Sequence, residues 1–419
     1  MNPYQCDVVM FTLFRDDAQY SSVSMSLAKE FAKNHRVFYI NHPYSFKDWW
    51  TLRHTKSVSK RADALAQHSI TFEPHPTIPN VIIVTPPPTS PINFMSNGGL
   101  YRFFSNRNNA KIEETLRQTI RRFGIKQYVY YNCYNPFFLN QMPSELPVFP
   151  VANVYHSIDD LDFDPYTAKH GTRLERESIK NADIAITTSS ALRKKYLAIK
   201  PNTEILTNAV DISIFSKVLK ENLARPKEIR DVKTKIIGFT GNLDYLRIDY
   251  PLLKKIALRH SEKTLVIVGP INSDEFYKVG LDKISNVIFT GSKKIDELPN
   301  YVQAFDVAII PFLLNDVTRS IYPLKINEYL AAGRAVVSTT FSDDIQLFKD
   351  VIYLADGHDD FLNKIDKAIA EDNDDRIIAR ATVANRNTWA DRVEQFWDLV
   401  KNFVEKKKTA TPQYPTTLK

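Results

Sequence analysis

Tyr322-Pro-Leu-Lys-Ile-Asn-Glu-Tyr-Leu-Ala-Ala-Gly-Arg-Ala-Val-Val337 is the stretch whose reading decides the fold. Its spacing predicts a helix from Ile326 to Ala332, stopped by Gly333, because glycine accepts the left-handed conformation that closes a helix. The short apolar, β-branched run from Ala335 to Ser338 reads as a buried strand. Just upstream, Asp306-Val-Ala-Ile-Ile-Pro311 reads as another. A strand, a helix and a second strand in that order make two parallel strands with a helix packed across them.

The same alternation continues outward. Strands are expected at Lys235–Thr240, Thr264–Val268 and Asn286–Thr290, with helices at Tyr250–Arg259 and Leu298–Ala304. Gly241, Gly269 and Gly291 each follow one of these strands, in a chain with only 11 glycines. In an open α/β sheet ligands sit beyond the carboxyl ends of strands. Glycine there lets the backbone approach a phosphate or a base closely. No GxGxxG motif is present, which argues against a nicotinamide dehydrogenase.

The first half repeats the pattern. Strands are expected at Asp7–Phe14, Arg36–Ile40, Val81–Val84, Gln127–Tyr131, Val151–Tyr155, Ile184–Thr188 and Glu204–Thr207. Helices are expected at Ser22–Asn34, Lys111–Phe123 and Arg173–Lys180. The proline-rich run Pro86–Pro91 reads as a surface loop. Between the halves, Lys217–Lys235 is charged and lacks apolar periodicity. The expected organisation is a first domain over residues 1–215, a linker over 216–235, a second domain over 236–384, an amphipathic helix over 385–405 and a disordered tail over 406–419. The helix, Trp389–Val404, carries Val393, Phe396, Trp397, Val400 and Phe403 on one side.

Composition narrows the class. The 419 residues are 43% hydrophobic and 25% charged, ordinary for a globular chain. No apolar run approaches the roughly 20 residues needed to span a bilayer. The two cysteines, Cys6 and Cys133, lack a metal-ligand spacing and point to a reducing, cytoplasmic setting. The net charge is +7, with 24 Lys/Arg against 19 Asp/Glu in residues 1–215. That surplus suits an anionic partner such as an acidic membrane surface, and also suits a plain solubility charge. No nucleic-acid-binding motif is visible.

The block Gly291–Tyr301, then Asp306–Pro311, then Tyr322–Val337, with Glu328, Ala331-Ala-Gly333 and Val336-Val337, resembles the donor-binding domain of GT-B glycosyltransferases of the group 1 (family 4) kind. Thr188-Ser189 and Asn208-Ala-Val-Asp211 resemble the end of that family's first domain, with Ala209 where glycine is usual. Within the fold the chain looks similar to bacterial exopolysaccharide and teichuronic-acid transferases, including the xanthan glucuronosyltransferase. The resemblance implies two Rossmann-like domains facing a cleft, the C-terminal helix returning to the first. It implies a nucleotide-sugar donor, a glycan or lipid-linked acceptor, surface polysaccharide synthesis, peripheral membrane contact, and neither cofactor nor metal. A nucleotide-sugar epimerase and a catalytically silent sugar-nucleotide-binding protein are the alternatives.

The same resemblance assigns donor binding to Gly241, Asn242, Arg247, Gly269, Gly291, Ser320, Tyr322, Leu324, Lys325 and Glu328. A lysine at a helix N-terminus can neutralise a diphosphate. Glu328, one turn further on, can accept from both ribose hydroxyls. Retaining members carry a second glutamate eight positions earlier, and Ser320 stands there. An inverting transfer instead needs a general base for the acceptor hydroxyl. The candidates follow the Val151–Tyr155 strand: Asp159 first, then Asp160 and His156. Asp159 is expected in a cleft that strengthens it as a base by desolvation. Asp160-Leu-Asp162-Phe-Asp164 has alternating carboxylates, but lacks the glycine and distal glutamate of a calcium loop. Arg15 and Tyr20 are the acceptor candidates. The aromatic and basic stretch holding Phe94, Tyr101, Arg102, Phe103, Phe104 and Arg107 suits a sugar ring, a lipid headgroup or the core.

Overall fold

The computed structural model describes residues 6–17, 22–59 and 61–410. They form two compact units. The first comprises Met1–Thr188, Leu192–Leu206 and Val393–Lys419; the second comprises Ser189–Ala191 and Thr207–Arg392.

The first unit is built on β1 (Asp7–Thr12), β2 (Val37–Ile40), β3 (Thr71–Pro74), β4 (Val81–Thr85), β5 (Tyr128–Cys133), β6 (Ala152–Ser157), β7 (Ile184–Thr187) and β8 (Glu204–Ile205). The sheet order is β3-β4-β2-β1-β5-β6-β7-β8. All neighbours are parallel except β3 and β4. Every residue of β1, β2 and β5 is buried, as expected for parallel strands covered on both faces. The antiparallel β3 was not foreseen, because Thr71-Phe-Glu-Pro74 has neither the apolar continuity nor the full alternation of a strand.

The second unit is built on β9 (Ile236–Thr240), β10 (Thr264–Val268), β11 (Val287–Phe289), β12 (Val307–Ile310), β13 (Val336–Thr339) and β14 (Tyr353–Ala355), in the order β11-β10-β9-β12-β13-β14. All five pairings are parallel. On β9, a Cβ at Gly238 would lie 2.2 Å from the Phe305 ring, so the ring packs flat on the strand only because no side chain stands there.

Three boundaries differ from expectation. Residues 216–235 are not a free linker. Val218 and Ile229 are buried in the second unit's core, and the Gln303 amide donates to the carbonyls of Val218 and Glu221. The few apolar side chains insert while the charges that dominate this stretch face water. Core residues Val210 and Phe215 place the start of the second unit earlier than 216. Last, the helix expected to end at 405 runs Trp389–Ala410, so 406–410 are helical; the rest of the expected tail lies outside the described residues. From Val393 onward that helix is part of the first unit. Phe396 sits 5.0 Å from the Phe31 ring and 4.9 Å from Tyr131, and Trp397 lies 4.6 Å from His35.

Candidate functional site

In the second unit the ends of β9, β10 and β11 form one edge. The Gly241 N–H donates to the Val268 carbonyl at 2.8 Å, and the Gly269 N–H to Gly291 at 3.0 Å. Gly241 and Gly269 both have φ of 150°, a region other residues rarely enter. A Cβ on Gly269 would lie 1.9 Å from the Gly241 oxygen, and one on Gly241 would lie 2.3 Å from Lys325 Cε. Gly269 is therefore required by close approach of backbone, and Gly241 by its φ, since the atoms a Cβ there would meet are the end of a flexible lysine. Asn242 follows with its Oδ1 buried and without a hydrogen-bond partner among the described residues. Above Gly291, at φ 75°, the space is open.

The Leu324–Ala331 helix stands over this edge. It buries Ile326, Asn327, Tyr329, Leu330 and Ala331, and leaves Leu324, Lys325 and Glu328 half-buried. The Tyr329 hydroxyl accepts from the Thr240 N–H at 2.8 Å, which ties the helix to the last residue of β9. One turn back, Lys325 is thereby laid across Gly241. Neither the Lys325 ammonium nor the Glu328 carboxylate has a hydrogen bond or ion pair to any described residue. Burial lowers the Lys325 pKa, with Glu328 opposing and Arg247 adding to the fall. Burial raises that of Glu328, with Lys325 opposing. Two charges are thus held partly out of water, near each other and unsatisfied, a costly arrangement that a ligand would relieve. Arg247 is anchored by Asp244 at 2.6 Å.

Two expected donor contacts turn away. The Ser320 hydroxyl donates to the Val317 carbonyl of its own short helix at 2.7 Å. Tyr322 is buried against Phe348, and its hydroxyl accepts from Asn327 at 3.4 Å. Both side chains are used up in packing, so only their backbone is available to a ligand.

In the first unit the three base candidates separate clearly. His156 is buried on β6, its Nδ1 2.6 Å from the Tyr131 hydroxyl, and burial depresses its pKa to about 3. A neutral imidazole enclosed in the core cannot meet an acceptor, which corrects its place among the candidates. Asp160 caps the turn that follows β6, accepting from the Asp162 N–H at 3.0 Å. Its carboxylate also pairs with Lys195 at 2.5 Å. The same ammonium lies 2.7 Å from Asp162, so the alternating carboxylates are already bridged by a cation of the chain itself. Asp159 is exposed rather than shielded, on the loop after β6, where its charge adds to the burial that raises the Tyr134 pKa.

Beside these residues lies a group the sequence did not single out. Glu175, on the Pro165–Asn181 helix, is fully buried and accepts from Tyr196 at 2.5 Å and Tyr155 at 3.2 Å. Burial raises its carboxyl to about 7, with those hydroxyls opposing. Its position among Leu174, Ser178 and Ile179 on one helix face was the available signal.

The first unit also holds a cavity of about 240 Å³, lined by His42, Asn93, Tyr101, Phe137, Phe138 and Tyr166 among others. Aromatic walls with a few polar groups suit a sugar or another amphipathic ligand. Arg15 fixes one side of it rather than reaching into it. Its guanidinium donates to the carbonyls of His42 and Pro43 and to Asp48, and stacks 3.9 Å from the Tyr44 centroid. Tyr20 lies outside the described residues. Tyr101 stacks on His170 at 4.1 Å, whereas Phe94 and Phe103 are exposed.

Known proteins locate this arrangement. Residues 234–371 match the family described as Glycosyl transferases group 1. A Bacillus subtilis (strain 168) protein named as a teichuronic acid biosynthesis glycosyltransferase, TuaH, is 25% identical over 318 residues, covering 66% of this chain and 79% of that protein. An α,α-trehalose-phosphate synthase (UDP-forming) from Burkholderia vietnamiensis superposes with a TM-score of 0.70 at 11% identity, over 96% of this chain and 100% of that one. The α,α-trehalose 6-phosphate synthase of Burkholderia multivorans gives 0.69 at 11% identity, over 98% and 100%. At such identity these structures speak for the fold alone.

Proposed function

We propose that this chain, which has the GT-B fold and matches the group 1 glycosyl transferases over residues 234–371, is a glycosyltransferase that moves a hexosyl or glucuronosyl residue from a nucleoside-diphosphate sugar to a glycan or lipid-linked acceptor during synthesis of a bacterial surface polysaccharide. The likeness to the Bacillus subtilis protein supports the pathway class. None of the proteins named above is an epimerase, so the epimerase alternative has nothing in its favour.

The observation that carries the reading is the unsatisfied Lys325 laid across Gly241 at the end of β9. A diphosphate there would meet the ammonium, the start of the Leu324–Ala331 helix and an edge free of side chains. Negative charge grows on this leaving group as the glycosidic bond breaks, so fixed cations lower the barrier. Glu328 accepts from the ribose hydroxyls. Arg247 adds a second cation, which lets the reaction dispense with a divalent metal. Asp159, with Ser320 in place of the second glutamate of retaining relatives, takes the acceptor proton, and the anomeric configuration inverts.

Isothermal titration of UDP, GDP and ADP, with and without EDTA, tests the donor assignment. One nucleoside diphosphate should bind equally in both conditions, and Lys325→Ala should weaken it. Binding that needs a metal, or is untouched by both Lys325→Ala and Glu328→Ala, rejects the site.

A further inference from the structure

His42 lines the first unit's cavity just beyond the carboxyl end of β2. In the sheet β2 lies beside β1, and β1 beside β5. The carboxyl ends of such parallel strands are where a sheet of this kind receives a ligand. A chain of side chains ties the three ends together. Asn135, fully buried after β5, donates from Nδ2 to the Thr12 carbonyl at the end of β1, at 2.8 Å. Its Oδ1 accepts from the Phe137 N–H at 3.4 Å. Asn132 holds it with two reciprocal bonds of 2.8 Å. Between the two asparagines, Tyr134 takes the left-handed region at φ 66°, a backbone cost of the kind that collects at functional sites.

These contacts decide where His42 carries its proton. The Asn135 amide cannot turn over, because its Oδ1 would then meet the Thr12 carbonyl, acceptor against acceptor. Its second amide hydrogen is left for His42 Nδ1, 3.2 Å away. Nδ1 must accept, so the proton of a neutral imidazole sits on Nε2. The ring is neutral: burial first, then the charge of Arg15, depresses its pKa to about 3, with Asp48 opposing. Phe138 and Phe137 fix its plane edge-on, at 5.5 and 6.4 Å. Nε2 makes no hydrogen bond to a described residue.

Other polar groups of the wall are spent on the protein. Asn108 bonds both backbone groups of Ser90, Asn93 bonds the Tyr166 carbonyl, and Asp48 pairs with Arg15. A fixed, uncharged donor among aromatic rings suits a sugar hydroxyl, whereas an anion calls for a cationic partner. The volume of about 240 Å³ lies below the roughly 300–1,000 Å³ of drug-sized pockets, which fits one sugar ring rather than a chain. We propose that His42 is a specificity-determining residue whose Nε2–H donates to a hydroxyl oxygen of one uncharged sugar unit of the acceptor, seated in this cavity. With Nδ1 already bonded it does not take the acceptor proton, so its part is recognition and not general-base catalysis. That the sugar is an acceptor rests on the glycosyltransferase reading.

Long-range proton–nitrogen NMR of the full chain at neutral pH reads the tautomer, the His42 signal being assigned by its loss in His42→Gln. The proton should be on Nε2, with Nδ1 bare. Titration with methyl glycosides of glucose, galactose, mannose and N-acetylglucosamine should shift the Nε2 signal for at least one sugar. Glutamine places an amide nitrogen near the position of Nε2, so His42→Gln should keep that affinity within about twofold. His42→Phe fills the space without a donor and should bind roughly fivefold more weakly. Nucleoside-diphosphate affinity in the same samples should stay at the wild-type value in both variants, which reports folding. A proton on Nδ1, an imidazolium, no sugar that shifts His42, or wild-type sugar affinity in His42→Phe overturns the proposal. A preference for glucose 6-phosphate that is lost in Lys47→Ala would make the ligand an anion, and overturns it too. Sugar binding through His42 without any nucleoside-diphosphate binding would uphold the sugar contact and overturn the glycosyltransferase reading instead.

Discussion

Two charge clusters with similar chemistry have opposite fates. In the first unit, Lys195 bridges Asp160 and Asp162 at 2.5 and 2.7 Å, and Asp160 also caps a turn. In the second, Lys325 and Glu328 feel each other's charge yet neither pairs with a described residue. The sequence offers alternating carboxylates in the first without the rest of a calcium loop, and in the second a lysine and a glutamate suited to a nucleotide-sugar donor. Hydrogen-bond satisfaction separates the two in the same sense. A satisfied cluster holds the fold together, whereas an unsatisfied one, half-buried beside bare backbone, is poised for a ligand.

The largest effect that can break this contrast is on turnover. Asp159→Asn should cut kcat about 10²–10⁴-fold, the range for losing a general base, with donor affinity nearly unchanged. Asp160→Asn should instead lower the unfolding midpoint. If Asp160→Asn takes the catalytic loss and Asp159→Asn is near normal in steady-state assays, the roles are exchanged. Product retaining the donor's anomeric configuration, read by NMR, would remove the inverting mechanism.

Next in size is a pH effect. Because Glu175 is raised from 4.5 to about 7, the folded chain holds its proton more tightly than the unfolded one. Its stabilisation is full below pH 4.5 and is lost as pH rises toward 7, amounting to about 3 kcal/mol. Urea unfolding across that window should show the decline in the wild type and a flatter profile in Glu175→Gln.

The paired and unpaired lysines give the sharpest comparison at smaller magnitude. Lys325→Met should cost roughly 1.5–3 kcal/mol of diphosphate affinity by titration calorimetry, while the ligand-free melting temperature holds or rises. Lys195→Met should do the reverse, losing about 1–3 kcal/mol of stability with donor affinity intact, since its pair is only partly exposed. The smallest expected change is Gly291→Ala. Open space surrounds the site, so only the left-handed φ of 75° resists, at about 1 kcal/mol.

Regular elements of the second unit were legible because their periodicities are unambiguous. The Tyr250–Arg259 helix falls where its spacing placed it, β12 lies within the run read for it, and β13 is offset by one residue from its own. The Gly99–Arg122 helix was read only from Lys111 onward, because its first turns mix exposed rings with asparagines and carry no clean stripe. The glycines at the ends of β9 and β10 were visible, but not that Lys325 fills the space a Cβ would take. Nor could spacing tell that Ser320, Tyr322, Arg15 and His156 spend their polar atoms on the protein itself. Satisfaction is a property of three-dimensional neighbours, and the sequence records only candidates for it.

Both cysteines of the chain are buried, and burial pushes each thiol up to about 12. The thiolate is the reactive form, so neither competes for a maleimide at neutral pH. The wild-type protein is therefore a silent background for labelling chemistry. A cysteine installed at exposed Phe94 or Trp50 would be its one addressable thiol, and a polarity-sensitive dye there would report a change in its surroundings as a colour change.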